Sequence, residues 1–267
     1  MKRYVIKHYI IRSEKLNGSA NSIRIVFISD FHNTSFGENL KKLKEDLEKL
    51  QADLILIGGD IVVGKPGEDM EQTKKLLSVL PAGVPVFAAN GNHEYRLKIY
   101  PEVYGSMYQE YRKMLDRYHV TLLENESALT QIGGVSMAIT GYELPREYYD
   151  RFYRGELPAE RMSDALPMQD DTVYQILLAH YPKYFTTYVK WRPDLILSGH
   201  YHGGIIRLGE KYPVVGNDFT LFPRYGYGYF EKGRSSMIVS AGMGEHTIPL
   251  RLWNPRELVV ADVEGKR

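Results

Sequence analysis

Residues 196–204 read ILSGHYHGG, and the two histidines in this stretch decide how the rest of the chain is interpreted. His200 and His202 are two residues apart, so in an extended or gently turning backbone their imidazoles project to the same side. The apolar run 195–197 predicts a β-strand that ends just before them, and the flanking glycines permit close backbone approach. Ligands gather at the carboxyl ends of strands in open α/β sheets. The spacing therefore indicates a pair of metal ligands.

The same arrangement of an apolar run followed by polar side chains recurs along the chain. Predicted strands at 23–29, 52–57, 84–89 and 173–179 are followed by Asp30 and His32, by Asp60, by Asn92 and His93, and by His180. Any one of these residues could be an ordinary loop residue held by backbone hydrogen bonds. Five of the eight histidines, however, follow predicted strands, and such a set is not expected by chance. The set predicts one shared polar site.

Segments with helical periodicity alternate with the early strands. Residues 39–51, 70–80 and 102–119 each place apolar side chains on one face, which predicts helices. Strands that alternate with helices favour a parallel sheet with right-handed crossovers. Further strands are predicted at 4–11, 120–123, 135–140, 237–240 and 257–263, and they suggest a mixed sheet.

The domain organisation follows from what the chain lacks. No internal repeat or low-complexity linker marks a boundary, so residues 1–267 are predicted to form one domain. Residues 143–171 are the least regular segment, rich in tyrosine, arginine, proline and charge. A lid over the site and a simple surface insertion both remain open for this segment.

Composition excludes several classes of site and partner. Cysteine is absent, which removes disulfides, thiolate metal sites and a cysteine nucleophile. The net charge of +1, from 34 basic and 33 acidic residues, gives no patch for nucleic acid or an anionic membrane. Lys7 and His8 interrupt the apolar residues of the first 16 positions, so this segment has no continuous apolar core. No run in the sequence approaches the roughly 18 apolar residues of a membrane span. We therefore expect a cytoplasmic protein without a membrane anchor.

Taken in order, the polar clusters resemble the motifs of the calcineurin-like metallophosphoesterase superfamily. They read DFH at 30–32, GD at 59–60, GNHE at 91–94, a lone His180, and GHYH at 199–202. The resemblance runs from about residue 23 to the C-terminus and implies an α/β fold, a four-layer α-β-β-α sandwich of two mixed sheets flanked by helices. GHYHGG and the tail SAGMGEHTIPLRLWNPRELVV also look like a bacterial subgroup of membrane-associated phosphoesterases and UDP-2,3-diacylglucosamine pyrophosphohydrolase-like proteins.

The resemblance implies a site that holds two divalent metal ions. In the family pattern one ion is bound by Asp30, His32 and His202, and the second by Asn92, His180 and His200. Asp60 bridges the two ions, since two cations about 3.5 to 4 Å apart need a shared anion. Nitrogen and oxygen donors without thiolate suit Mn, Fe, Zn or Co, among which the sequence does not choose.

The implied reaction is hydrolysis of a small-molecule phosphoester, which is a phosphodiester, a phosphomonoester or a pyrophosphate, by attack of a metal-bridging water. His93 is expected to act as general acid or transition-state donor and not as a ligand. A nuclease is a rival within the enzymes, but the balanced charge weakens it. A catalytically silent metal-binding or scaffold protein is the alternative from another class.

The sequence departs from the family pattern at two positions. Val63 stands where many relatives have a second aspartate, and Ile205 where the subgroup often has glutamine. Candidate substrate-binding groups are Arg96, Arg146, Arg154, Arg224 and the tyrosines of residues 142–153. Loops at 225–229 and 242–246 are candidates to border the site. The oligomeric state, like the natural substrate, is not determined by the sequence.

Overall fold

The computed structural model of the chain describes residues 4–17, 22–150, 153–209, 212–216, 220–245 and 251–266. Its strands, in chain order, are β1 (Tyr4–Ser13), β2 (Ile23–Ile28), β3 (Leu54–Ile57), β4 (Val86–Ala89), β5 (Val120–Leu123), β6 (Ser127–Ile132), β7 (Val135–Tyr142), β8 (Tyr174–Ala179), β9 (Leu195–Ser198), β10 (Ile206–Leu208), β11 (Tyr212–Val215), β12 (Gly228–Lys232), β13 (Ser235–Val239) and β14 (Arg256–Gly265). Its α-helices are α1 (Asn39–Leu50), α2 (Glu71–Ser78), α3 (Asn92–Ile99), α4 (Pro101–Tyr104), α5 (Met107–Arg117), α6 (Ala159–Ala165) and α7 (Phe185–Tyr188). Short 3-10 helices lie at Glu14–Leu16, Arg146–Tyr149, Pro182–Tyr184 and Val189–Trp191.

The first sheet contains six strands in the order β1-β14-β2-β3-β4-β5. Strands β2 to β5 are parallel, as the alternation of strands with helices predicts. Strand β14 runs antiparallel to β2 and parallel to β1, so the sheet is mixed. The carboxyl ends of β2, β3 and β4 therefore meet at one edge of the sheet.

The second sheet also contains six strands, in the order β12-β13-β9-β8-β7-β6. Its four central strands are parallel, and β12 and β6 are antiparallel at the edges. Strands β10 and β11 form a separate two-stranded ladder just after the histidine stretch. The carboxyl ends of β8 and β9 face the same side of the molecule as those of β2 and β3, because residues from both sets come into contact there.

The central strands are apolar on both faces because each sheet is covered on both sides. Alternate side chains such as Phe27, Leu56 and Leu178 fill the space between the two sheets. On the outer face of the first sheet, side chains of α1, α2 and α5 complete a second core, and side chains of α6 and α7 cover the second sheet. The predicted four-layer sandwich of two mixed sheets flanked by helices is confirmed.

Several predicted elements differ from the structure. The helix predicted at 102–119 is two helices, α4 and α5, because the chain turns at Gly105, where φ is +59°. Helix α3 was not predicted, since its sequence NHEYRLKI has no continuous apolar stripe. Strands β6, β10, β11 and β12 were also missed. Residues 143–171 contain the 3-10 helix Arg146–Tyr149 and α6, with residues 151–152 outside the described part, and a lid role stays a prediction.

The described helices are short. None of them combines the length and the apolar character that a membrane crossing requires. The longest, α1, has 12 residues and carries charged side chains on its outer face.

Candidate metal centre

The predicted ligands come together from both sheets. Strands β2, β3 and β4 of the first sheet lead directly into Asp30 and His32, into Asp60, and into Asn92 and His93. Strands β8 and β9 of the second sheet lead into His180 and into His200 and His202. The His200 N–H donates to Asp30 Oδ1 at 3.0 Å, so the strand ends of the two sheets are in direct contact. The structure thus gathers all eight residues into one cluster.

One half of the cluster consists of Asp30, His32 and His202. His202 Nε2 lies 3.4 Å from Asp30 Oδ1 and 3.0 Å from His32 Nε2. One ligand atom from each of the three residues lies within 4.8 Å of the other two. This trio is the one that the resemblance implies for the first ion.

The other half consists of Asn92, His180 and His200. Asn92 Oδ1 lies 2.8 Å from His200 Nδ1, and His180 Nε2 lies 3.1 Å from Asp60 Oδ2. His180 is oriented by its other nitrogen, because Nδ1 lies 2.7 Å from the carbonyl oxygen of Gly58 and donates to it. When the ring is neutral, as a metal ligand must be, Nε2 has a lone pair that faces the cluster.

Asp60 lies between the two halves. Its Oδ2 is 3.1 Å from His180 Nε2 and 3.9 Å from His32 Nε2, which belong to different trios. Its Oδ1 accepts the His93 N–H at 2.8 Å, which fixes the carboxylate orientation. The position is the one that a bridging carboxylate requires.

The backbone at this cluster is unusual. Five of the seven predicted ligands have positive φ: Asp30, His32, Asp60, His200 and His202, with values between 48° and 68°. Such conformations are uncommon for residues other than glycine and accumulate at functional sites. Each one turns its side chain away from the direction that a continuing strand would give. The strand ends thus curl inward and present ligands to a common point.

Glu94 organises the backbone beneath Asp60. Its Oε2 accepts the N–H groups of Asp60 at 2.8 Å and of Gly91 at 2.9 Å. Its Oε1 accepts those of Ile61 at 2.8 Å and of Val62 at 3.0 Å. Burial and the Asp60 carboxylate raise the pKa of Glu94 to about 7, while the four N–H donors favour its ionised form. Glu94 belongs to the GNHE motif, but no role was predicted for it from the sequence.

Close packing at two glycines brings the chain segments together. A Cβ atom on Gly91 would lie 2.3 Å from Asp60 Oδ1, and one on Gly199 would lie 2.1 Å from Asp30 Oδ2. Neither position has room for a side chain. The glycines of GNHE and GHYH therefore set the distance between neighbouring ligand loops.

His93 lies at the cluster but differs from its neighbours in hydrogen bonding. Its Nδ1 accepts the N–H of Gly64 at 2.8 Å, so in the neutral ring the proton is on Nε2. Nε2 lies 4.0 Å from Asp60 Oδ2, and His93 also falls within metal-binding distance of His32 and Asp60. Burial lowers the pKa of His93 to about 4, with Asp60 acting in the opposite direction. An Nε2–H group makes His93 a hydrogen-bond donor and a poor ligand.

The last part of the chain supports the histidine stretch. Asn254 Nδ2 donates to the carbonyl oxygens of His202 at 2.6 Å and Gly204 at 2.5 Å. Arg251 Nη2 donates to the Gly244 carbonyl at 2.9 Å and lies 3.2 Å from His202 Nδ1. The sequence carries no signal for the contacts with residues 202–204, because they join segments about 50 residues apart through backbone oxygens.

Some of the other candidate residues lie near the cluster and others lie away from it. Among the loops, residues 242–245 lie against the site, since Gly244 N–H donates to the Asp30 carbonyl at 2.6 Å. His246 is outside the described residues. Arg96 lies close to His93, because its Nη2 and the His93 carbonyl both approach Gly64. Arg224 lines a surface groove with Lys7, Tyr227 and Tyr229, and Arg154 is exposed.

The donor set fits divalent cations on its own geometry. Asp30 Oδ2 is buried without a hydrogen-bond partner within the described part of the chain. His180 Nε2 is close to Asp60 Oδ2 but is not aligned for a hydrogen bond with it. Burial acts to lower the pKa of His180, yet the Asp60 and Asp30 carboxylates outweigh it and raise the pKa to about 10. Buried carboxylates with this demand for positive charge suit metal ions held by nitrogen and oxygen donors.

The chain matches a known protein family over more than half of its length. The sequence model of the family described as calcineurin-like phosphoesterase matches residues 23–204. This range contains every residue of both ligand trios and Asp60.

Individual relatives agree with the family match. An uncharacterized metallophosphoesterase of Helicobacter pylori J99 is 29% identical over 97% of this chain and 63% of its own length. An uncharacterized metallophosphoesterase of Aquifex aeolicus is 26% identical over 98% of this chain and 92% of its own. The chain thus spans less than two thirds of the length of the Helicobacter relative. Among solved structures, TT1561 of Thermus thermophilus superposes with a TM-score of 0.51 and 16% identity, over 83% of this chain and 90% of that one.

Proposed function

This chain belongs to the calcineurin-like phosphoesterase family, and from that membership we propose that it is a binuclear metal-dependent hydrolase of a small-molecule phosphoester. The observation that supports the proposal most directly is the position of Asp60. Its carboxylate lies between the trio of Asp30, His32 and His202 and the group of Asn92, His180 and His200. Two separate ligand groups that share one carboxylate suit two ions, whereas a single structural ion needs only four ligands.

The residues of the chain have separable tasks in this proposal. Asp30, His32 and His202 would hold one ion, and Asn92, His180 and His200 the other. When bound, divalent Mn, Fe, Zn or Co ions would supply the positive charge that polarises a phosphoryl oxygen and acidifies water. Glu94 keeps Asp60 in position through the N–H groups of residues 60–62.

His93 is assigned to the leaving group. Its Nε2–H is fixed in direction, because Gly64 occupies Nδ1 and the Asp60 carboxylate accepts its backbone N–H. A neutral imidazole of this kind donates a hydrogen bond to the oxygen on which negative charge develops as the ester bond breaks. The donor is ready before substrate binds, so no proton needs to be taken up from solvent.

The decisive experiment compares wild type with His93→Ala. Metal-stripped protein is titrated with Mn²⁺, Zn²⁺, Fe²⁺ or Mg²⁺, and hydrolysis of bis(p-nitrophenyl) phosphate and p-nitrophenyl phosphate is followed. We expect metal-dependent turnover in wild type and a kcat lower by about 10²–10⁴ in His93→Ala, since general acid catalysis typically contributes that factor. Metal content, measured by atomic emission, should stay unchanged.

His119→Ala is the matched control, because His119 is an exposed histidine two residues after the end of α5. It should retain wild-type turnover. Loss of bound metal in His93→Ala would contradict the donor role. Metal bound by wild type without hydrolysis of either ester would contradict the phosphoesterase and favour a metal-binding or scaffold role.

A further inference from the structure

Tyr149 is a residue of the irregular segment 143–171 that reaches the metal centre. It ends the 3-10 helix Arg146–Tyr149, and its ring centroid lies 5.6 Å from that of His200. The ring stacks on Tyr181 with centroids 5.5 Å apart and planes 15° apart. Tyr181 is itself 4.3 Å from the His200 ring, so the two tyrosines form a wall beside one half of the centre.

The position of Tyr149 is fixed from two directions. The 3-10 helix packs against α3, which begins with Asn92 and His93. Next to Tyr149, Tyr148 is buried and makes edge-on contacts with the rings of Tyr184 and Tyr153. The packing of Tyr148 holds the backbone of the 3-10 helix in place, and the stacking on Tyr181 holds the Tyr149 ring.

The hydroxyl of Tyr149 is available for a ligand. It has no hydrogen-bond partner among the residues that the structure describes, and the side chain is only partly buried. An ordinary phenol titrates at about pH 10, so its hydroxyl keeps its proton at neutral pH. The phenol is therefore a neutral O–H donor at any physiological pH.

We propose that the Tyr149 hydroxyl donates a hydrogen bond to an anionic phosphoryl oxygen of the substrate at the Asn92–His180–His200 half of the centre. This inference deepens the proposed function and rests on it. It assigns a substrate-binding role to a segment for which neither the family motifs nor the ligand clusters supply a residue. The donor stands on the His200 side of the cluster, and it lies beside the helix that carries His93.

If Tyr149 donates this hydrogen bond, its loss should affect substrate and product binding but not metal binding. A hydrogen bond to a charged oxygen is stronger than one between neutral groups, and its loss costs about tenfold in affinity or rate. Because the substrate and the phosphate product both carry anionic oxygens, the contact should strengthen the binding of inorganic phosphate as well as the hydrolysis of esters. Metal binding should not depend on it.

The test uses Tyr149→Phe, which keeps the ring against Tyr181 and removes only the hydroxyl. Tyr148→Phe is the matched control in the same 3-10 helix, because its side chain points into the core. For wild type and both variants, loaded with the same metal, we would measure the affinity for inorganic phosphate by titration calorimetry, kcat/KM for bis(p-nitrophenyl) phosphate, and metal content. We expect about tenfold weaker phosphate binding and about tenfold lower kcat/KM in Tyr149→Phe alone, with metal content unchanged.

The outcomes separate this inference from the proposed function. Phosphate affinity and kcat/KM of Tyr149→Phe within about twofold of wild type would overturn the role of Tyr149 and leave the phosphoesterase standing. An equal loss in Tyr148→Phe, or no phosphate binding by wild type, would overturn it as well. A wild type that hydrolyses neither ester, yet binds phosphate more tightly than Tyr149→Phe does, would support the contact and reject the hydrolase.

Discussion

Five of the predicted ligands adopt a backbone conformation of raised free energy, namely Asp30, His32, Asp60, His200 and His202. A non-glycine residue with positive φ is less stable than one in the common regions by about 1–3 kcal/mol. The surrounding hydrogen bonds keep these residues there, among them Asp30 N–H to the Gly59 carbonyl at 3.0 Å and His32 N–H to the Asp60 carbonyl at 3.0 Å. The cost is repeated at five of the seven predicted ligands, which indicates that the site is built for a bound group and not for stability.

The substitution Asp60→Asn tests the bridging position. Removing the shared charge while keeping the size should weaken the binding of both ions, because each half of the cluster loses the same anionic oxygen. We expect the metal content after dialysis to fall from about two ions per chain to fewer than one, as measured by atomic emission. Asp116→Asn, an exposed aspartate on α5, is the control and should bind as wild type does. Two tightly retained ions in Asp60→Asn would rule out the bridge.

The sequence alone predicts which residues could be metal ligands. It does not predict which residues hold the ligand loops in place by hydrogen bonds. The spacing of Asp30 and His32 after an apolar run predicts a metal ligand pair, and the structure places both at the cluster. Glu94 and Asn254 could not be assigned from the sequence, because they act on backbone N–H and carbonyl groups of distant segments. The proton position on His93 likewise depends on Gly64, whose N–H direction is a property of the folded loop.

The local sequence predicts the buried parallel strands but not helix α3. Strands β2, β3, β4, β8 and β9 are largely apolar runs that end at polar residues, which is a local signal. Helix α3 lacks such a signal. Its start is fixed by Glu94, which accepts the Gly91 N–H three residues before it, and by packing against the 3-10 helix Arg146–Tyr149. Edge strands such as β6 and β12 alternate more and less exposed residues and depend on their neighbours for definition.

Lys98 on α3 connects that helix to two other segments. Its Nζ lies 2.6 Å from Glu124 Oε1, just after β5, and 2.7 Å from Glu143 Oε2, just after β7. Replacing it in Lys98→Met would leave two largely buried carboxylates without their cation. We expect the free energy of unfolding to fall by about 1–3 kcal/mol, since Lys98 is partly exposed and solvent screens part of the loss.

The measurement is urea denaturation of wild type, Lys98→Met and Lys113→Met, whose lysine is exposed on α5. The control should lie within about 0.5 kcal/mol of wild type, as surface substitutions usually do. An equally small change for Lys98→Met would show that Glu124 and Glu143 are stabilised by their other hydrogen bonds alone.

In the whole molecule, the candidate metal centre joins the two sheets. The first sheet supplies Asp30, His32, Asp60 and Asn92, and the second supplies His180, His200 and His202, while a continuous apolar core lies between them. Neither sheet carries a complete site. Metal affinity should therefore depend on the sheets remaining packed together, and bound metal should in turn stabilise that packing.

Calorimetry tests this coupling together with the prediction that residues 1–267 form one domain. We expect a single cooperative unfolding transition in metal-free protein. Manganese at about one hundred times its dissociation constant should add about 2.7 kcal/mol to the free energy of unfolding for each ion bound. The variant Asp30→Asn should show a smaller shift at the same Mn²⁺ concentration. Two resolved transitions would contradict the single domain, and a midpoint indifferent to Mn²⁺ would contradict a site formed only in the folded state.

The pairing of β1 with β14 bears on how the molecule acquires its shape. Strand β1 is hydrogen-bonded to the first sheet through β14, and the paired residues, such as Tyr4 and Arg256, are about 250 positions apart in the sequence. Contacts between such distant segments are slow to form, since a long loop must close before any of them is made. The first strand of the described chain should thus be among the last to become ordered. Early folding would begin in the local βα units, and the outer edge of the first sheet would be completed when β1 pairs with β14.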